Sequence, residues 1–136
     1  MAKPTVIFLC THNAGRSQMA LGFFTHLAGD NAAAYSGGSQ PADRINPAAI
    51  AVMAEKGFDI THQYPKRWTD EMLKTADVVI TMGCGETCPY FPGRRYEEWP
   101  IPDPAGQPVE AVRPIRDEIE LRVRLLLSDL DVPITN

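Results

Sequence analysis

Cysteine is scarce: there are three, Cys10, Cys84 and Cys88, in 136 residues. So few thiols, and an odd number of them, exclude a disulfide-stapled scaffold and point to reactive or metal-binding cysteines in a reducing compartment. Long apolar runs are missing too. No stretch approaches the roughly 18 residues of a membrane span. The apolar run at Thr5–Leu9 is too short for a secretory leader and lacks a small-residue cleavage site after it. The expected compartment is the cytoplasm. Excess charge is absent as well: the net charge of −4 argues against nucleic acid or an anionic membrane as the main partner. With no internal repeat and no low-complexity linker, residues 1–136 read as one domain, long enough to bury a core without staples.

What is present alternates between strand and helix signals. Thr5–Leu9 is a continuous apolar, β-rich run, as expected of a strand covered on both faces. From Ser17 the period turns helical, with Met19, Ala20, Phe23, Phe24 and Leu27 on one face and Gly29 as the stop. Ala33–Ser36 is a short strand ended by Gly37-Gly38. Asn46-Pro47 starts a helix that runs to Lys56 and stops at Gly57. Thr69-Asp70-Glu71 opens another, ending near Ala76. Asp77–Met82 is a second buried strand, Gly83–Gly93 a loop, and Arg95–Trp99 an edge strand followed by prolines. The last helix spans Val109–Leu130. Its buried face is Ile115, Ile119, Val123, Leu126 and Leu130, and the Glu118–Arg122 and Glu120–Arg124 pairs sit on its exposed side. Such alternation predicts a parallel sheet covered on both faces, with ligands beyond the carboxyl ends of the strands. The loops Cys10–Arg16, Gly83–Gly93 and Pro100–Gly106 then share one rim.

The chemistry sits in Cys10-Thr11-His12-Asn13-Ala14-Gly15-Arg16-Ser17, between the first strand and the first helix. A loop of that length wraps a tetrahedral oxyanion with successive backbone N–H groups, and the helix N-terminus adds its own donors. Thr11, His12, Asn13, Ala14, Gly15 and Arg16 are the substrate-binding candidates, with the Arg16 guanidinium closing the ring. Cys10 lies beneath the anion, where the same positive field favours thiolate over thiol. Ser17 either donates to the Cys10 sulfur or caps the helix, and Asn13 braces the loop, tolerating left-handed backbone. His12 either adjusts the loop's charge or faces solvent. His26 and His62 receive no role.

The segment Val6-Ile7-Phe8-Leu9-Cys10-Thr11-His12-Asn13-Ala14-Gly15-Arg16-Ser17-Gln18-Met19-Ala20, continued through Asp77–Met82, Cys84, Cys88-Pro89, Trp99, Asp103-Pro104-Ala105-Gly106 and Arg113–Ile119, resembles the low-molecular-weight protein tyrosine phosphatase superfamily. Within it, the chain is closer to the arsenate reductase branch and its thioredoxin-coupled members. The resemblance spans almost the whole chain. It implies a three-layer α/β/α fold with a four-stranded parallel sheet.

It also implies Asp103 as general acid for the departing oxygen, although Asp-Pro is a common turn opening as well. Two features favour reduction over phosphomonoester hydrolysis. Ala105-Gly106 stand where the phosphotyrosine enzymes carry aromatic residues, and hydrolysis has no use for Cys84 and Cys88. The implied catalytic set is Cys10, Arg16, Ser17, Cys84, Cys88 and Asp103. The resemblance further implies reduction of arsenate to arsenite through a Cys10/Cys84/Cys88 disulfide relay, with no bound cofactor or metal and with thioredoxin as the expected electron source. Two departures stand out. Only three residues separate Cys84 from Cys88, and Gly15 replaces a cysteine found in several relatives. The phosphatase reading, mycothiol or glutathione as donor, a zinc site at the cysteine pair and a non-catalytic oxyanion sensor stay open as alternatives.

Overall fold

The computed structural model describes residues 3–83 and 95–135. Strand β1 (Thr5–Cys10) is central because nearly every side chain on it is apolar and both faces are covered. It pairs in parallel with β2 (Ala33–Gly38) on one side and β3 (Val78–Thr81) on the other. Strand β4 (Arg95–Glu98) pairs with β3, giving the order β2-β1-β3-β4. Its half-exposed, charged side chains and the two prolines that follow suit an edge position.

The two faces are unequal. Val6, Phe8 and Cys10 point toward α1 (Arg16–Ala28), α2 (Pro47–Glu55) and α4 (Val109–Asp129), which share the main core. Phe8 meets Phe24 edge-on, ring centroids 5.7 Å apart, and Trp99 at 5.9 Å. Ile7 and Leu9 face a smaller cluster with Trp68, Val79 and Leu73 of the short α3 (Asp70–Thr75). The expected three layers are there, with a single-helix layer on the thin side.

Two helix starts follow the sequence signals. Asn46 accepts from the Ala48 amide at 2.9 Å with Pro47 behind it, and Thr69 accepts from the Met72 amide at 3.1 Å. Gly57, at φ +86°, lies just past α2.

Other expectations need correcting. Gly37 and Gly38 continue β2 rather than ending it. A Cβ at Gly37 would sit 2.7 Å from the Trp68 amide nitrogen, and one at Gly38 would sit 2.6 Å from the Thr11 carbonyl oxygen. These glycines therefore admit neighbouring backbone rather than mark a turn. Glu120 is not on the exposed side of α4: it is 9% exposed and takes Lys56 of the α2 C-cap as well as Arg124. Leu130 is only partly buried, because it follows the last turn. Among the described residues, no helix is long and apolar enough to cross a membrane.

Candidate active site

Cys10 ends β1 at the carboxyl edge of the sheet and is 2% exposed. The loop after it is clasped from outside by segment 39–46. The Gln40 amide donates to Thr11 O at 2.8 Å, the Ala42 amide to His12 O at 3.0 Å and the Asn46 amide to Ala14 O at 2.8 Å. Asn13 O accepts from Gln18 Nε2 at 2.9 Å, and Gly15 O accepts from the Met19 amide, the first turn of α1, at 2.9 Å. Five consecutive carbonyls are thus turned away from the hollow above Cys10.

All described peptides are trans, and in a planar trans peptide the following N–H points opposite the carbonyl. The N–H groups of His12, Asn13, Ala14, Gly15 and Arg16 are therefore presented together, at the N-terminus of α1. This is the cradle expected from the cysteine-to-arginine spacing.

Arg16 is 8% exposed, held by a bond from Nη1 to Ile101 O at 3.3 Å and by Asp103 Oδ2, 3.7 Å from Nη2. Gly83, at φ +90°, lies so close that a Cβ would overlap Arg16 Nη1. Its carbonyl accepts from Thr11 Oγ1 at 2.8 Å. Asp103 sits in the turn that one of its two sequence readings expects. Its Oδ1 accepts from the Ala105 amide at 3.0 Å in an Asp-Pro turn, while Oδ2 faces Arg16.

A cleft of about 280 Å³ joins these parts, lined by Cys10, His12, Arg16, Ala42, Asp103 and Ala105 among others. The rims after β1 and β4 therefore meet, and Gly83 brings the start of the third loop to them. Cys84 and Cys88 lie outside the described residues.

Ser17 resolves toward the sulfur rather than the cap. Its Oγ is 2.9 Å from Cys10 Sγ, and α1 begins one residue earlier than expected, at Arg16, with no side-chain cap. Asn13 is fully buried in left-handed backbone, φ +50°, with Nδ2 donating to Ser17 Oγ at 2.6 Å. His12 is exposed and lines the cleft. His26 faces Phe58 edge-on, and the charge of His62 is one of the weaker influences holding Asp59 below its usual value, behind hydrogen bonds from Thr61.

Four residues that the sequence reading did not place at the site contribute to it. Asn46, besides capping α2, lines the cleft and donates to Pro104 O at 3.3 Å. Gln18 and Gln63 lie behind the loop, Gln63 Nε2 donating to Gln18 Oε1 at 2.7 Å. Lys66 is half buried there, and desolvation holds its ammonium below the usual lysine range. A polar Gln18 inside an otherwise apolar helix face was the one available signal. Among the described residues no cluster of metal-ligating side chains occurs.

Comparison with known proteins gives a consistent picture. The family model described as low molecular weight phosphotyrosine protein phosphatase matches residues 5–134. A protein of Staphylococcus haemolyticus named arsenate reductase 2 is 38% identical over 127 residues, covering 90% of this chain and 95% of that one. The structure of a thioredoxin-dependent arsenate reductase of Corynebacterium glutamicum superposes with a TM-score of 0.84 at 38% identity. It covers 95% of this chain, and this chain spans 62% of that longer one. A low molecular weight protein tyrosine phosphatase from T. tengcongensis gives 0.82 at 25% identity, over 93% and 99% of the two chains.

Proposed function

We propose a function from one premise: the chain belongs to the low molecular weight phosphotyrosine protein phosphatase family. Within that family it is an arsenate reductase of the cytoplasm, drawing electrons from thioredoxin. The observation that carries the reading is the small-walled cleft. An anion cradle over Cys10 is bounded by Ala42, Pro47, Ala105 and Gly106, and among the described residues no phenylalanine, tyrosine or tryptophan lines it to clasp a phosphotyrosine ring. A bare tetrahedral oxyanion fits that space. The reductase names of the 35–38% identical relatives support the same choice.

The steps follow from the residues. Arsenate lies in the cradle with its oxygens on the N–H groups of His12–Arg16 and on the Arg16 guanidinium. Cys10 sulfur attacks arsenic, and the Ser17 hydroxyl steadies the sulfur's charge through the 2.9 Å contact. An oxygen leaves as water, taking a proton from Asp103. The Cys84 thiolate then attacks Cys10 sulfur. The S–As bond breaks with its electron pair on arsenic, which departs as arsenite, two electrons richer. Cys88 attacks Cys84, and the resulting Cys84–Cys88 disulfide is reduced by a thioredoxin dithiol.

Anaerobic incubation with arsenate, thioredoxin, thioredoxin reductase and NADPH tests the scheme. NADPH is consumed by the wild type and by none of the three single Cys→Ser variants. Consumption that persists in Cys88→Ser removes the three-thiol relay and favours mycothiol or glutathione as donor.

Hydrolysis is the second reading, favoured by Asp103 standing beside Arg16 over the cleft. It predicts p-nitrophenyl phosphate turnover that survives Cys84→Ser and no arsenite from any donor.

A further inference from the structure

Behind the Cys10 loop lies a run of side-chain amides whose orientations are all forced. Backbone groups set the ends of the chain, because they cannot exchange donor for acceptor. The Lys66 amide donates to one terminal atom of the Asn13 side chain at 3.0 Å, so that atom is oxygen. One terminal atom of Gln18 faces Asn13 O at 2.9 Å, Asn13 Oδ1 at 3.0 Å and Tyr64 O at 3.0 Å. Three acceptors require a donor there, so that atom is Nε2. Gln18 Oε1 must then accept, and Gln63 Nε2 supplies the proton at 2.7 Å while also reaching Gln18 O at 3.0 Å.

With Asn13 Oδ1 committed to Lys66 and Gln18, its Nδ2 faces Ser17 Oγ at 2.6 Å. Ser17 oxygen is therefore an acceptor from Asn13, and its single proton has one partner left, Cys10 Sγ at 2.9 Å. Asn13, Ser17 and Gln18 are fully buried, so water does not compete for these bonds.

We infer that Gln18 is a positioning residue for the nucleophile: acting through Asn13, it directs the Ser17 proton at the Cys10 sulfur, and Gln63 holds Gln18 in the orientation that does so. Without the Gln18 donors, the Asn13 carboxamide keeps only the Lys66 amide against rotation. A rotated carboxamide would present oxygen to Ser17, and the hydroxyl would turn to it and leave the sulfur. The inference rests on Cys10 as the nucleophile of the proposed function, not on arsenate as its substrate.

The test reads Cys10 directly. Iodoacetamide alkylation of Cys10 is followed by peptide mass spectrometry in the wild type, Gln18→Met, Ser17→Ala and the double variant, with inorganic phosphate affinity measured in parallel. Gln18→Met slows alkylation about tenfold at about pH 5.5, the size expected for one hydrogen bond to a charged group, and the gap closes toward about pH 9. Phosphate affinity stays within about twofold, and in the Ser17→Ala background the Gln18 effect vanishes. An equal fall in both backgrounds, or an unchanged rate in Gln18→Met, overturns the inference. Should Gln18→Met not fold, the same cycle is run with Gln63→Met. A fall of about threefold that vanishes with Ser17→Ala then supports the inference. No fall, or one that persists, overturns it. A wild type that yields no arsenite while the cycle behaves as expected sinks the proposed function and leaves Gln18 in place.

Discussion

Two polar clusters tie distant segments of this chain together, and they are made of different material. Behind the Cys10 loop the linkers are neutral amides: Asn13, Gln18 and Gln63, with backbone groups at the ends. Between α2 and α4 they are charges. Arg113 and Arg116 hold Glu55, Arg116 also donates to Val52 O at 2.9 Å, and Lys56 and Arg124 hold Glu120. An ion pair attracts over a range of orientations and responds to salt and pH. An amide chain has a direction, does not titrate, and breaks if one member is turned. The contrast suggests that directional groups are used where a proton must be aimed, and charges where two helices need only be held together.

The largest effect expected from breaking this contrast lies at the point where the amide side meets a charge. Arg16→Lys keeps the charge but loses the planar fork, and should lower kcat/KM for arsenate about 100-fold, the usual cost of one oxyanion donor. Steady-state kinetics checks this, and a loss under threefold would show that charge alone suffices there.

Next comes Gly83→Ala. Left-handed backbone and the overlap with Arg16 should together cost about 1–2 kcal/mol of stability. They should also weaken phosphate binding about tenfold. Urea unfolding and calorimetric titration measure the two separately.

On the charged side, Arg116→Met should destabilise by about 2 kcal/mol, chiefly through the orphaned Val52 carbonyl and lost packing, with kcat/KM unchanged. A change in kcat/KM would mean the two clusters communicate.

The smallest effect concerns pH. Burial pushes the Glu120 carboxyl up, but hydrogen bonds and charge from Lys56 and Arg124 outweigh it and leave the group below the usual 4.5. A carboxyl lowered on folding contributes stability that is present above its unfolded value and is lost as pH falls through the folded one. Glu120→Gln should therefore lower stability at neutral pH by under about 1 kcal/mol, leave it nearly unchanged at acid pH where the carboxyl is already protonated, and so flatten the acid limb of the curve. Urea unfolding across the acid range reads it.

The same contrast explains what the sequence made legible. Cys10, Arg16 and Ser17 could be assigned because their constraint is local: strand, loop and helix are neighbours in the chain. The caps at Asn46 and Thr69 were readable for the same reason. Gly37 and Gly38 looked like punctuation because the backbone they admit, at Trp68 and Thr11, is remote in sequence. Gln18 depends on residues 63–66, and Glu120 on Lys56, so the helix of each shows at most a polar side chain and not the partner that gives it a role. Asp103 offered two meanings, and what the structure shows is the turn, with Oδ1 accepting from the Ala105 amide, and the second oxygen facing Arg16.

The outward-turned carbonyls of Thr11 through Gly15 have one more consequence. The donors they leave over the cleft are peptide nitrogens, which neither gain nor lose a proton at any pH the protein meets. What these donors contribute to gripping an anion is thus constant with pH. Whatever pH dependence the affinity for a non-titrating tetrahedral anion shows therefore comes from the side chains around the cleft and not from the ring itself.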